Sequence, residues 1–384
     1  MVIDIHALIL PQSVRRFSNS AKKRIIQQTL NNCIYMLQIT DVFFRLQDVH
    51  KRSQLSIFDG ILGIKGINEY YTGTAFQQIQ MMASLQTKAY DLELRKNKVF
   101  LEEVIAWFFK QYLKEEFNVI GFHFHPTTPT TTYFEKCKLL ATEIDGILKQ
   151  FKIWVEEGEI DSELLQLSTE HMFFENIPSK IEKKYIYCNS DECQTAMNIL
   201  FSNQSPVYYT EKYKDEKDCF YELVKTHHPK IDDFMRFQTD TINWLVKHRI
   251  LQIDEQGFLY LERKTILLKE LYYNEVICKT YMGEYNDEIE ELEKTGMIGY
   301  ESTLFSKPEQ EYLNYLFNKS EFSNGLDLRN SYLHNTAVDN EKQNIDDYYI
   351  FIRMLLFIVI KMNEEFCVCK KEEKNKGESF LTKD

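Results

Sequence analysis

The spacing of apolar residues along the chain predicts a mainly helical protein. From residue 132 to 155, apolar side chains recur at steps of three and four, as on one face of an amphipathic helix. The same spacing predicts helices over residues 97–116, 20–50 and 75–95. The chain of 384 residues has only 7 prolines and 13 glycines, which favours long helices because both residues interrupt them. We therefore expect residues 1–180 to form a helical N-terminal region.

Residues 181–262 have a different pattern, in which short apolar runs alternate with charged turns. Two of these runs predict short strands, at Tyr185–Cys188 and at Pro206–Tyr209. The pattern of residues 181–228 does not indicate a particular fold. We therefore treat residues 181–262 as a mixed segment, separate from the helices that precede it.

The end of the mixed segment is predicted to be a helix followed by a β-hairpin. The helix is expected at Ile231–His248, and its inward side chains are Phe234, Phe237, Ile242, Leu245 and Val246. The hairpin is expected at residues 250–253 and 258–261, joined by the turn Asp254-Glu255-Gln256-Gly257. This order resembles the second half of a winged helix. Lys247 and Arg249 are candidate nucleic-acid contacts, but nearby aspartates offset their charge, and we favour a structural role for the segment.

Residues 263–372 predict an all-helical bundle. Its helices are expected at residues 263–281, 285–295, 308–319, 327–336 and 345–365. The last of these is apolar nearly all round, which predicts burial in the core or at a subunit interface. Residues 373–384 form a charged tail, for which we expect no fixed structure.

Composition and charge narrow the classes of function. The net charge of -12 argues against a protein that coats duplex DNA, so any nucleic-acid contact is expected to be local. The 8 cysteines are scattered, which predicts reduced thiols and a cytoplasmic location. The N-terminus lacks a secretory pattern, and the most apolar run, residues 350–360, is too short to span a bilayer. We expect no membrane contact.

The segment with the clearest chemistry is residues 324–335, which read NGLDLRNSYLHN. An Asn-Gly turn precedes Asp327, a good helix N-cap, and a short helix is then expected to carry Arg329, Asn330 and His334. Asn330 and His334 are four residues apart and share a face of that helix. An imidazole that titrates near neutral pH and a guanidinium that binds phosphate oxygens suit the cleavage of RNA through its own 2′-hydroxyl.

The Arg-Asn…His pattern resembles the Arg-(four to six residues)-His motif of the HEPN superfamily. The resemblance covers roughly residues 263–372. A second copy of the spacing, Arg45 to His50, lacks the asparagine and is expected on an ordinary amphipathic helix. Asn335 follows His334 where many relatives have glycine, and asparagine tolerates the left-handed backbone that this position favours.

The resemblance implies a metal-independent endoribonuclease that uses no cofactor. His334 would act as acid or base, Arg329 would stabilise the charge on the phosphorane, and Asn330 would orient the imidazole or bind a phosphate oxygen. HEPN ribonucleases assemble their site from two motifs, so the resemblance also implies a homodimer. It further implies a role in phage defence or as a toxin, with residues 1–180 sensing a trigger or holding an inhibitory partner.

Two alternatives remain open. The HEPN domain could be catalytically silent, with Arg329 and Asn330 bridging helices. The protein could instead be a non-catalytic regulator that binds nucleic acid or a protein partner through the winged-helix-like segment, at Lys247 and Arg249.

We expect no metal site. Cys188 and Cys193, with Cys219, His227 and His228 further along, could in principle bind zinc, but their spacing is irregular and we favour buried thiols and exposed histidines.

Overall fold

The computed structural model describes residues 28–32, 36–51, 68–161, 163, 165, 173–213, 219–319, 321–337 and 340–381, with side chains up to residue 373. These residues fall into two compact units. The helical unit is drawn from residues 1–50, 56–182 and 302–384, and the inserted unit from residues 51–55 and 183–301. The described chain is mainly helical with small antiparallel sheets, as the sequence predicts.

The regular elements are listed here in chain order. The helices are α1 (Thr74–Lys96), α2 (Leu101–Trp107), α3 (Leu113–Phe117), α4 (Tyr133–Glu157), α5 (Asp191–Phe201), α6 (Phe220–His227), α7 (Arg236–Lys247), α8 (Thr265–Asn274), α9 (Asn286–Lys294), α10 (Lys307–Phe317), α11 (Leu328–Leu333) and α12 (Glu341–Leu381). The strands are β1 (Tyr185–Cys188), β2 (Leu251–Ile253), β3 (Leu259–Leu261), β4 (Ile277–Cys278) and β5 (Ile298–Glu301).

Helix α12 forms the centre of the helical unit. Every side chain from Phe351 to Phe366 is buried, which confirms the burial predicted for this apolar helix. The helix packs against α1, α2 and α4. Its two buried cations are paired: Arg353 binds Asp48, with an Nη2–Oδ1 distance of 2.7 Å, and the ammonium of Lys361 lies 3.4 Å from a carboxylate oxygen of Glu309. Pairing is what makes charged groups tolerable inside a helical core.

Several predicted helices are confirmed with small shifts at their ends. Helix α4 begins after Thr132, whose hydroxyl accepts the backbone N–H of Glu135 at 3.3 Å and caps the helix. The helix predicted over residues 97–116 begins at Leu101 and is interrupted by a π-helical turn at Phe108–Tyr112. Helix α1 matches its prediction to within a residue at each end.

The helix predicted over residues 20–50 is wrong for residues 36–50, and the rest of that prediction lies partly outside the described residues. This stretch is a series of turns with a bridge between Thr40 and Leu46, and Gln38 and Phe44 have positive φ angles. The Asp41 carboxylate accepts the backbone N–H groups of residues 43 and 45, both at 2.9 Å. A short polar side chain that binds nearby N–H groups competes with the helix. The spacing from Arg45 to His50 therefore does not lie on a helix.

The inserted unit contains two antiparallel sheets. In the first, β1 lies between β4 and β5, and Ile186 is aligned with both Ile277 and Tyr300. In the second, β2 pairs with β3 as the sequence predicts, and the connecting turn places Gly257 at a φ of 85°. The strand at Tyr185–Cys188 is confirmed.

Three predicted elements between residues 181 and 301 are wrong. Residues 206–209 form a turn and not a strand, with Tyr208 donating its N–H to Ser205. The helix predicted at Ile231–His248 is a 3-10 turn at Ile231–Asp233 followed by α7, and Phe237 points outward with 59% of its surface exposed. The helix predicted over residues 263–281 ends at Asn274, because residues 277–278 pair with β1 as β4.

The two compact units divide the chain differently from the predicted segments. Residues 263–301 belong to the inserted unit, because β4 and β5 are hydrogen-bonded to β1. The helices that follow residue 302 pack against α4 and its neighbours from the N-terminal region. Helix α12 continues to Leu381, so the tail from residue 373 is helical up to that point. Among the described helices, none has the length and apolar character needed to cross a membrane.

Candidate functional site

The short helix α11 carries the residues of the predicted motif. Leu328 and Tyr332 form its buried face, and the Tyr332 hydroxyl lies 2.7 Å from Asp347 and 2.8 Å from Asn344, both on α12. Burial raises the pKa of Tyr332, so its hydroxyl stays protonated and can donate. These bonds anchor α11 to α12 through Tyr332.

Asp327 occupies the N-cap position, but its side chain does not cap the helix as predicted. Its backbone is left-handed, with φ at 53°, and its carboxylate makes no bond to an N–H of the first helical turn. The carboxylate instead accepts the Asn330 side-chain amide at 2.8 Å and the Lys319 backbone N–H at 3.3 Å. Asp327 therefore fixes the Asn330 side chain.

Arg329 forms an ion pair with Asp145 of helix α4. Its Nε and Nη2 atoms lie 2.9 and 2.5 Å from the same carboxylate oxygen, and its Nη1 donates to the side-chain oxygen of Asn330 at 3.1 Å. The side chains of Arg329 and Asp145 are 19% and 17% exposed. These bonds use three of the five N–H donors of a guanidinium, so two remain for another acceptor.

His334 lies at the end of α11 and is exposed. Its backbone N–H donates to Asn330 at 2.9 Å, whereas its imidazole has no hydrogen bond or ion pair with any residue that the structure describes. Asn335 next to it adopts a φ of 55°, the left-handed backbone for which asparagine is suited, and its side chain accepts Lys138 at 3.2 Å. The imidazole is thus accessible for proton transfer.

Arg329 and Asn330 therefore lie on α11, where hydrogen bonds hold their side chains, and His334 lies at its end with an exposed side chain. A continuous chain of bonds runs from Asp327 through Asn330 and Arg329 to Asp145, while the imidazole stands at the surface. Asp145 was missed from the sequence. It lies 184 residues away on a predicted amphipathic helix, where a carboxylate looks like an ordinary solvated residue.

Lys247 and Arg249 lie in the inserted unit, where α7 meets β2. Both are exposed, and Arg249 has a positive φ of 55°. Between them, the imidazole of His248 lies tilted against Trp244, with ring centroids 3.9 Å apart. The two cations are accessible to a partner.

The cysteine and histidine residues weighed as a zinc site do not form one cluster. Within the described ranges, no group of three or more His, Cys, Asp and Glu side chains could hold a metal. The His227 Nδ1 atom lies 2.8 Å from the Thr226 hydroxyl, and the His228 ring lies tilted against that of Tyr260. Burial raises the pKa of Cys219, and hydrogen bonding to Cys188 together with burial raises the pKa of Cys193, so both thiols stay protonated.

Comparisons with known proteins found no match for this chain among family models, curated proteins or solved structures. The resemblance to the HEPN superfamily therefore stays a prediction from the sequence motif of residues 329–334.

Proposed function

We propose that this protein is a metal-independent endoribonuclease of HEPN type, with Arg329, Asn330 and His334 as its catalytic residues. The observation that carries the proposal is the exposed imidazole of His334, which bonds to no residue in the described ranges and follows the short helix that carries an anchored guanidinium with two donors available. An imidazole supplies proton transfer near neutral pH, and a guanidinium supplies charge stabilisation for a phosphorane.

In the proposed reaction, one imidazole removes the proton from the RNA 2′-hydroxyl, whose oxygen attacks the adjacent phosphorus. The two remaining Arg329 donors bind the phosphorane oxygens, and Asn330 keeps the guanidinium oriented. A second imidazole protonates the departing 5′-oxygen. The products are a 2′,3′-cyclic phosphate and a 5′-hydroxyl, and no bound metal takes part in any step.

One chain supplies one histidine of this motif, so the proposal requires a homodimer in which His334 of each copy faces the same strand. We include α4, α10, α11 and α12 in the HEPN-like bundle, because α4 carries Asp145 and packs against both α11 and α12. The winged-helix-like unit comprises α7, β2 and β3. A role in phage defence or as a toxin in the cytoplasm follows from the family resemblance alone, as does a sensing or restraining role for residues 1–180.

The test is cleavage of labelled RNA by the purified full chain in EDTA, with end-group analysis of the products. We expect His334→Ala and Arg329→Ala to lower the rate by about 100-fold or more, as for the loss of an acid–base group or a charge-stabilising donor. His125→Ala and Arg95→Ala are the controls, because His125 is exposed in the same unit and Arg95 also pairs with an aspartate, Asp91, through its Nε at 2.7 Å. Undiminished cutting by either motif variant, or a strictly monomeric protein, would refute the proposal.

A second candidate is a non-catalytic regulator. It is favoured by the hydrogen bonds of Arg329 and Asn330, which fit a purely structural role in joining α11 to α4. Under this hypothesis, Lys247 and Arg249 bind nucleic acid or a protein, and binding to nucleic acid weakens as salt rises. The Lys247→Ala, Arg249→Ala double variant would then lose binding, and His334→Ala would behave as the original protein.

A further inference from the structure

A second polar site lies in the inserted unit, in a cavity of about 660 Å³. Helix α9, strand β5 and the residues that flank β1 and β4 line it. The charged and aromatic side chains of its wall are Lys183, Lys279, Lys294, Glu290, Glu293 and Tyr300. None of these residues belongs to the motif of α11.

The register of the sheet explains why these residues meet. Ile186 is aligned with Ile277 on one side and with Tyr300 on the other, so the side chains of these three residues share a face. Lys279 directly follows β4, and its backbone N–H donates to the carbonyl oxygen of Lys184 at 2.9 Å. Its ammonium lies 5.3 Å from the centre of the Tyr300 ring, and that of Lys183, just before β1, lies 4.4 Å from it. Two ammonium groups thus lie against one aromatic ring.

Glu293 of α9 fixes this arrangement. Its carboxylate accepts Lys183 at 2.5 Å and the Tyr300 hydroxyl at 2.9 Å. The bonds from Lys183 and Tyr300 lower the pKa of Glu293, which keeps it ionised. Burial and the bond to Glu293 raise the pKa of Tyr300, which keeps its hydroxyl protonated. The ring and one ammonium are therefore held in place before any ligand arrives.

Among the three lysines of the cavity wall, Lys279 has no ion-pair partner in the described part of the chain. Lys183 is paired with Glu293, and Lys294 lies 3.3 Å from Glu290. The Lys279 ammonium makes no ion pair or side-chain hydrogen bond with any residue in the described ranges; it lies against the Tyr300 ring, and its charge helps to lower the pKa of Glu293. An anion in the cavity would give the Lys279 ammonium a charged partner. Lys183 and Lys294 also line that cavity.

We propose that this cavity binds the phosphate group of a nucleotide, with Lys279 as the main charged contact. Lysine is a strongly hydrated point charge that suits phosphate oxygens. The volume lies in the range of small-molecule pockets and admits a mononucleotide. The phosphate could belong to a free nucleotide or to a nucleotide within an RNA strand. The proposal goes beyond the nuclease activity and does not depend on it.

The test is isothermal titration of the full chain with three probes: inorganic phosphate, ATP and a short oligouridine. We expect saturable binding of ATP or oligouridine, and a loss of about tenfold in affinity for Lys279→Gln, as for one lost hydrogen bond to a charged group. Lys279→Arg should retain most of the affinity, and Lys294→Gln should weaken it less. Lys225→Gln is the matched control, because Lys225 is an exposed lysine of the same unit and lies 5.8 Å from the Tyr221 ring.

The probes distinguish the two sources of phosphate. Binding of ATP without oligouridine supports a free nucleotide as the ligand. Binding of oligouridine, with a salt slope reduced by about one in Lys279→Gln, supports a strand. The proposal is overturned if no probe binds saturably, or if Lys279→Gln binds as tightly as Lys225→Gln. His334→Ala should leave this binding unchanged. A loss of nuclease activity and a loss of nucleotide binding can therefore be distinguished.

Discussion

The ion pair between Arg329 and Asp145 should be measurable as a coupling energy between α11 and α4. Both side chains are mostly buried, at 19% and 17% exposure, and Asp145 accepts two guanidinium N–H groups through one oxygen. Exposed ion pairs contribute about 0–1 kcal/mol, and breaking a fully buried pair costs about 3–5 kcal/mol. With intermediate burial, we expect a coupling of about 1–2 kcal/mol.

A double-mutant cycle with Asp145→Asn, Arg329→Gln and the combined variant gives this energy from urea unfolding monitored by circular dichroism. Asparagine and glutamine keep most of the side-chain volume, so the cycle reports the charge interaction more than packing. The same variants test the function. Asp145→Asn should lower RNA cleavage through loss of guanidinium orientation while keeping the Arg329 charge. A coupling energy near zero would show that the pair does not hold α11 in place, and the positioning argument for Arg329 would then fail.

Two further predictions concern the core around α12. Arg353→Met leaves Asp48, which is 2% exposed, without its partner, so it should destabilise the protein by about 3–5 kcal/mol in urea unfolding. The loss should clearly exceed that of Lys96→Met, whose partner Glu93 is 63% exposed, and equal losses would contradict the reasoning. Burial raises the pKa of Asp347 above its usual 3.8, so the folded protein binds this proton more tightly than the unfolded chain does. The stability contributed by Asp347 should therefore fall as pH rises from its unfolded to its folded pKa, and Asp347→Asn should lack that component in urea midpoints measured from pH 4 upward.

Sequence periodicity predicts an element well when the residues of that one helix determine which of its faces is buried. Helices α1 and α4 appear close to their expected bounds, and α12 is buried as its apolar surface requires. In each case the repeat of three to four residues can be read within the segment itself. The left-handed backbone at Asn335 is likewise local, because it depends on what one asparagine tolerates.

The features that sequence reasoning missed depend on partners far along the chain. Strand β5 exists because Tyr300 is aligned with Ile186, and β4 ends a predicted helix because Ile277 pairs with the same strand. A strand of two to four residues is too short for its own sequence to show which distant strand it pairs with. The turn at residues 36–50 escaped prediction for a different reason, since one aspartate, Asp41, overrides an apolar spacing that resembles a helix.

The candidate sites divide in the same way. The sequence alone determined that Arg329, Asn330 and His334 share one short helix, because their spacing along the chain is sufficient for that. Only the tertiary structure decided that Asp145 holds the guanidinium while the imidazole stays exposed, and that Lys279 and Lys183 meet at Tyr300. Hydrogen bonds and ion pairs act over a few ångströms in space, and no pattern of neighbouring residues specifies which distant side chain will fill that distance.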